Sequence, residues 1–105
     1  MFKIYWINMS KATGDTRIGT RPVVSVEQVG KKLTVYEITS RNKGDRYHAH
    51  MNNYLIRGYC DCGTAYRVDE KYIKSYVRDC TLTEYKAISD TIAALKPRDS
   101  NKQAV

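Results

Sequence analysis

Long apolar runs are missing from this 105-residue chain, and their absence sets the first limits. The stretch Ile4-Tyr5-Trp6-Ile7 is too short for a membrane span or for the apolar segment of a secretory signal. The expectation is therefore a cytoplasmic protein with no membrane association. Cysteine is scarce and odd in number, with Cys60, Cys62 and Cys80 only, so reduced thiols are expected. Internal repeats and low-complexity blocks are also lacking, which leaves one domain. A single domain of this size buries one modest core and has no second lobe to enclose a deep pocket. Its active surface should be an open groove, which suits a large substrate better than a small metabolite.

The spacing of common structural zinc sites is absent as well. His48-Ala49-His50 and Cys60-Asp61-Cys62 each place two ligand types on one side of an extended segment, but neither has the C-x₂₋₄-C or H-x₃₋₅-H pattern. Solvated histidines and buried thiols account for these residues, and no metal or cofactor is expected. Acidic residues are outnumbered. Eleven Asp and Glu stand against eighteen Lys and Arg, a formal net charge of +7, so a polyanion or an acidic protein is a credible partner. Aromatic content is mostly tyrosine, nine in all, which suits half-buried strands.

The first two-thirds of the chain reads as strands. Residues 3–8 carry apolar side chains on both faces, residues 10–20 are polar with Gly14 and Gly19, and residues 22–29 are rich in valine. Gly30-Lys31-Lys32 signals a hairpin turn into a strand over 33–39. A basic loop at 41–45 precedes extended segments at 47–51 and 54–57. A turn region follows at 58–63, with further strands at 64–69 and 72–77. The period then changes. Leu82, Tyr85, Ile88, Ile92 and Leu95 fall three or four apart as an amphipathic helix, and Thr81 with Glu84 has capping-box spacing. Pro97 should end that helix and leave a frayed polar tail at 97–105 after a domain over 1–96. The class is α+β: a small barrel or strongly coiled antiparallel sheet with one terminal helix.

Several residues could carry chemistry. Arg21 sits before Pro22 at a strand entrance, where its fork could grip a phosphate or form an ordinary surface ion pair. Thr39 and Ser40 close a strand, and hydroxyls there bond phosphate oxygens or cap turns. Arg67 and Asp69 lie two apart, hence on one face, and could transfer protons or simply pair. Arg41, Lys43, Arg46, Tyr47 and His48 alternate charge with rings, as a groove for unpaired bases would.

Taken in order, Gly19-Thr20-Arg21-Pro22-Val23-Val24, Ile38-Thr39-Ser40, the segment 63–69 and the terminal helix resemble the MazF/PemK family of toxin endoribonucleases. The resemblance covers roughly the first 95 residues in order and spacing. It implies an SH3-like barrel with a C-terminal helix, a homodimer, and an acidic antitoxin whose disordered segment folds along the basic groove. It also implies cleavage of single-stranded RNA by 2′-hydroxyl attack on the adjacent phosphate, with no metal or cofactor. On that pattern Arg21 stabilises the phosphorane, Thr39 bonds the scissile phosphate, Asp69 is the general base and Arg67 the general acid. Thr20, Ser40, Arg41, Lys43, Arg46 and His48 would bind RNA. The alternative is a non-catalytic RNA-binding barrel or a CcdB-like gyrase poison. Three departures stand out: Asp15-Thr16-Arg17-Ile18 in the first loop, Glu37 where many relatives carry proline, and the Cys60-Asp61-Cys62 segment.

Overall fold

A computed structural model of the chain describes residues 2–40, 47–52 and 57–104. The elements run β1 (Lys3–Asn8), α1 (Met9–Thr13), β2 (Thr20–Val29), β3 (Lys32–Thr39), β4 (His48–Asn52), β5 (Arg57–Asp61), β6 (Tyr66–Asp69), β7 (Ile73–Asp79) and α2 (Leu82–Ala104). A single 3₁₀ turn, Glu70–Tyr72, joins β6 to β7. All described pairings are antiparallel, in the order β4-β5-β3-β2-β1-β7, with β6 also on β3. The expected class holds: an antiparallel sheet with a C-terminal helix. Closure into a full barrel is not seen among the described pairings, which end at β4 and β7.

Period-two alternation in β3 explains how one sheet carries two cores. Leu33 and Val35 join Ile7, Met9, Val23 and Val68 on one face. Tyr36 and Ile38 join Ile4, Val24, Met51, Cys60, Cys62, Cys80 and Ile88 on the other. Neighbouring residues of a strand point to opposite faces, so a strand apolar at both parities must be covered twice. The helix α2 covers the second face; α1 lies on the first.

Three expectations about the elements need correction. Residues 10–20 are not wholly loop, because α1 occupies Met9–Thr13. The Asn8 side chain accepts from the Lys11 amide at 3.1 Å, buried Met9 anchors the turn, and Gly14 ends it with φ of 82°. Five residues are too few to show a helical period. The turn expected at 58–63 is mostly strand β5, while the extended segment expected at 54–57 lies largely outside the described residues. Finally, α2 continues past Pro97 to Ala104. Proline removes one amide donor, which costs a helix one hydrogen bond but does not prevent the following turns from forming.

The start of α2 is the best-determined junction. Thr81 Oγ1 accepts from the Glu84 amide at 3.1 Å, and Glu84 Oε1 accepts from the Thr81 amide at 2.9 Å, a complete capping box. Glu84 has no exposed surface, and Arg78 from β7 grips both its oxygens at 2.7 and 2.9 Å. The inward stripe is consequently Glu84, Ile88, Ile92 and Leu95, whereas Leu82, expected on it, is exposed. Burial pushes the Glu84 carboxyl up, but the Arg78 and Thr81 hydrogen bonds outweigh it and hold the group below the ordinary glutamate range. Replacing Glu84 by Ala should cost about 3–5 kcal/mol in urea unfolding, because Arg78 would be left buried and uncompensated. The wild-type contribution should persist above the unfolded glutamate value of ~4.3. It should be lost as pH falls through the lower folded value, a step missing from the variant.

Candidate functional site

The face that carries Leu33 and Val35 does not stay apolar. Two residues further along β3 come Glu37 and Thr39, where the sheet passes beyond its core. Val23 lies directly across from Glu37, and Arg21, two residues before Val23, shares that face. Tyr59 lies across from Thr39, His50 across from Tyr59, and His48 across from Asp61. Directly opposed residues of an antiparallel pair share a face. Arg21, Glu37, Thr39, His48, His50, Tyr59 and Asp61 are thus gathered on one polar surface by register alone. Tyr66, across from Val35, adjoins it.

Local structure fixes these groups. Gly19, with φ of 76°, donates to Ser10 Oγ at 2.6 Å and accepts from the Met9 amide at 3.0 Å, pinning the loop before β2 against α1. Arg21 Nε donates to the Ile18 carbonyl at 3.0 Å. Arg21 is exposed, and no hydrogen bond to its two terminal amino groups is seen among the described residues. Asp61 Oδ1 accepts from the Gly63 amide at 3.0 Å, and the Cys62 amide donates to the Tyr47 carbonyl at 2.7 Å, so the end of β5 is held from both sides. His50 and Tyr59 stack, with ring centroids 5.2 Å apart and planes tilted by 30°. Gly58, with φ of 131°, lets β5 reach β3, since a Cβ there would run into the Thr39 carbonyl oxygen.

Glu37 is the most perturbed acid on this surface. Burial raises its carboxyl above the ordinary range, nearby Arg21 moderates the rise, and Asp61 adds to it. Its Oε2 is buried with no hydrogen-bond partner among the described residues. Burial, then Glu37, Asp61 and Asp15, raise the Tyr66 phenol. Two carboxyl groups and a guanidinium are therefore close enough to act on one another.

The residues expected to form the site divide. Arg21, Thr39 and His48 share the polar face; Thr20 lies at the start of β2 across from Asn8, and exposed Ser40 follows Thr39. Arg41, Lys43 and Arg46 lie outside the described residues. Arg67 and Asp69 share a face with each other, as their spacing requires, but they oppose Thr34 and Lys32. Their neighbours Tyr66 and Val68 take the Arg21 side, so Arg67 and Asp69 are turned to the other side of the sheet. Asp69 caps the 3₁₀ turn through the Lys71 amide at 2.9 Å and pairs with Lys32 at 3.8 Å. The amide bond above all holds its carboxyl below the ordinary range, and burial opposes the shift only in part. The carboxyl groups on the Arg21 face are Glu37 and Asp61. Alternation of Tyr59 and Asp61 with Cys60 and Cys62 was the available signal for Asp61.

The thiols are inert in this setting. Cys60, Cys62 and Cys80 are free and buried, with the Cys60 and Cys62 sulfurs 4.0 Å apart. Burial pushes the Cys80 thiol up to about 12, and the hydrogen bond from Cys62, with burial, raises Cys60 well above its usual value. Among the described residues, no group of three or more His, Cys, Asp or Glu side chains is arranged to hold a metal ion.

Fold and face together define a small antiparallel sheet-and-helix protein with a polar, open working surface bearing an arginine and paired carboxyl groups. More specifically, the chain has the MazF fold. It superposes on MazF from Deinococcus radiodurans with a TM-score of 0.75 at 16% identity, over 90% of this chain and 93% of that one. A mycobacterial endoribonuclease in complex with its cognate antitoxin gives 0.73 at 13% identity, over 88% of each chain. Toxin MazF-mt6 of Mycobacterium tuberculosis gives 0.68 at 13%, over 88% of this chain and 93% of that one. No protein-family model matches the sequence, and no curated protein is similar to it in sequence.

The approach of β5 to β3 yields a direct expectation. Gly58→Ala should lower unfolding stability by at least 1–3 kcal/mol, since the residue would be both strained at positive φ and in collision with Thr39. Chemical denaturation of the two proteins side by side measures it.

Proposed function

We propose that this chain is the toxin of a toxin–antitoxin pair and a metal-independent endoribonuclease that cuts single-stranded RNA, in the manner of the MazF/PemK family. The observation that carries the reading is the shared face of Arg21, Thr39 and Asp61, on a fold whose matches include proteins described as endoribonucleases. The reaction needs no bound nucleophile, because the substrate's own 2′-hydroxyl attacks the adjacent phosphorus. Arg21 offers its exposed fork to the non-bridging oxygens as negative charge builds on the phosphorane. Thr39 bonds the phosphate and orients it. Asp61, held by Gly63 on one oxygen, takes the 2′-hydroxyl proton with the other. This assigns to Asp61 the role expected of Asp69, and Arg67 is given no catalytic part.

His50 and Tyr59 supply a stacking surface for unpaired bases beside this centre. Thr20, Ser40 and His48 border it, and the basic residues Arg41, Lys43 and Arg46 follow Ser40 directly in sequence and would track the RNA backbone. A homodimer working in the cytoplasm, restrained by an acidic antitoxin, completes the proposal. The net charge of +7 supports the antitoxin, as does the cognate antitoxin present with one mycobacterial relative in fold. Among the described residues, no helix is long and apolar enough to cross a membrane.

The test incubates the purified protein with mixed-sequence single-stranded RNA in excess EDTA and analyses the ends. Discrete fragments with 2′,3′-cyclic phosphates are expected from wild type. Arg21→Ala should cut about 10²–10³-fold more slowly. Asp69→Ala removes a cap of the 3₁₀ turn and should lower the melting temperature while cutting at the wild-type rate. Intact RNA under all these conditions, or equal cutting by Arg21→Ala, would overturn the proposal.

A further inference from the structure

The reaction proposed above needs a second proton movement, to the departing 5′-oxygen, and neither Arg21 nor Thr39 is suited to it. A guanidinium gives up a proton reluctantly, and a hydroxyl is a weak acid. From the geometry of β3 we infer that Glu37 is the catalytic general acid, protonating the 5′-oxygen leaving group of the RNA while Asp61 receives the proton of the 2′-hydroxyl. This inference rests on the ribonuclease reading and deepens it.

Three independent features point to Glu37. It stands two residues before Thr39 on the same face of the same strand, a separation of roughly 7 Å along β3. Side chains from two such positions can meet at one phosphate group, because O5′ and the non-bridging oxygens are bonded to the same phosphorus. It lies across from Val23, two residues from Arg21, so the phosphate-gripping fork and the carboxyl converge from adjacent strands. Its Oε2 is buried and has no hydrogen-bond partner among the described residues, although a buried acid with a purely structural duty would be tied into a pair or a cap. Glu84 and Asp69 show what structural carboxylates look like in this chain, each with its backbone amide and its basic partner.

The surroundings favour a proton on Glu37. Arg21 faces it from β2, Asp61 and Tyr59 from β5, Tyr66 from β6, and His48 and His50 lie further out on β4. Burial, reinforced by Asp61, outweighs Arg21 and raises the carboxyl above its ordinary range. Two carboxyls beside one cation, one of them raised by burial, are an arrangement that can supply an acid. In the step itself, the O2′–P bond forms and the P–O5′ bond breaks. The 2′-hydroxyl proton passes to Asp61 and the Glu37 proton passes to O5′. Glu37 leaves the step as carboxylate and Asp61 as acid, and exchange with water resets both.

The deciding experiment uses the intact protein, Glu37→Gln, and two short single-stranded RNAs. They are identical except that one carries sulfur in place of the 5′-bridging oxygen at the cleavage site. A thiolate departs without protonation, so the sulfur substrate does not need the acid. Expected is a loss of about 10²–10⁴-fold in kcat for Glu37→Gln on the oxygen substrate. On the sulfur substrate its rate should be close to wild type. The wild-type rate on oxygen should fall as pH rises through the value of Glu37, since the acid must keep its proton, and that alkaline limb should vanish on sulfur. Cleavage of the sulfur substrate also shows that the variant is folded. Equal slowing on both substrates would make Glu37 a positioning residue for Arg21 and overturn the inference, as would wild-type cutting of the oxygen substrate by Glu37→Gln. Failure of the wild-type protein to cut either RNA would instead remove the ribonuclease reading and this inference with it.

Discussion

The register of β3 is the constraint on which the rest of this structure depends. It is flanked by β2 along one edge and by β6 and then β5 along the other, so four strands answer to one alternation. A slip by one residue would send Leu33 and Val35 out of one core and Tyr36 and Ile38 out of the other. It would also carry Glu37 and Thr39 away from Arg21. Core and working surface are therefore specified by the same pairing. The hydrophobic energy that fixes the register in the buried half of the strand also places the polar groups in its exposed half.

This coupling explains which parts of the site could be read from the chain. Capping-box spacing between Thr81 and Glu84 is a local signal, and both hydrogen bonds are present. Arg21 before Pro22 was legible as a strand entrance for a similar reason. Arg67 and Asp69 show the limit of local reading. Their spacing of two correctly puts them together, but whether they face Arg21 depends on pairing with Thr34 and Lys32, 33 and 37 residues away, which nothing along β6 reveals. Cys60-Asp61-Cys62 was obscured for the opposite reason. Gly58 and Gly63 flank it and signal turns, yet Gly58 uses its positive φ to bring a strand against Thr39. Pro97 marks a helix end by local rule, yet α2 runs through it: the lost bond and the ring's clash with the preceding turn disfavour the helix there without forbidding it.

A strongly basic chain whose polar face holds two carboxyl groups looks contradictory only if charge is counted globally. Long-range attraction for a polyanion follows from the net +7 and its screening, over distances of about 10 Å. Proton transfer is decided within a few ångströms. Glu37 and Asp61 lie beside Arg21 there, and burial raises the Glu37 carboxyl above its ordinary range despite that cation. The acids that serve stability are treated differently. Glu84 is wholly buried yet clamped by Arg78 on both oxygens, and Asp69 is tied to an amide and Lys32.

That contrast bears on what a shared fold can and cannot say. At 11–16% identity, similarity to known structures shows how the backbone runs, and a fold of this kind can host a nuclease, a binding surface or an enzyme poison equally well. Function has to be argued from groups whose placement folding alone does not require. Val23, Leu33 and Ile88 would be apolar in any protein with this topology. Glu37 would not be a glutamate on packing grounds, because burying an oxygen without a partner opposes folding. Arg21 shares its face, with Nε bonded to the Ile18 carbonyl of its own loop. Of the groups gathered by this one register, Glu37 is therefore the one whose identity the packing does not require.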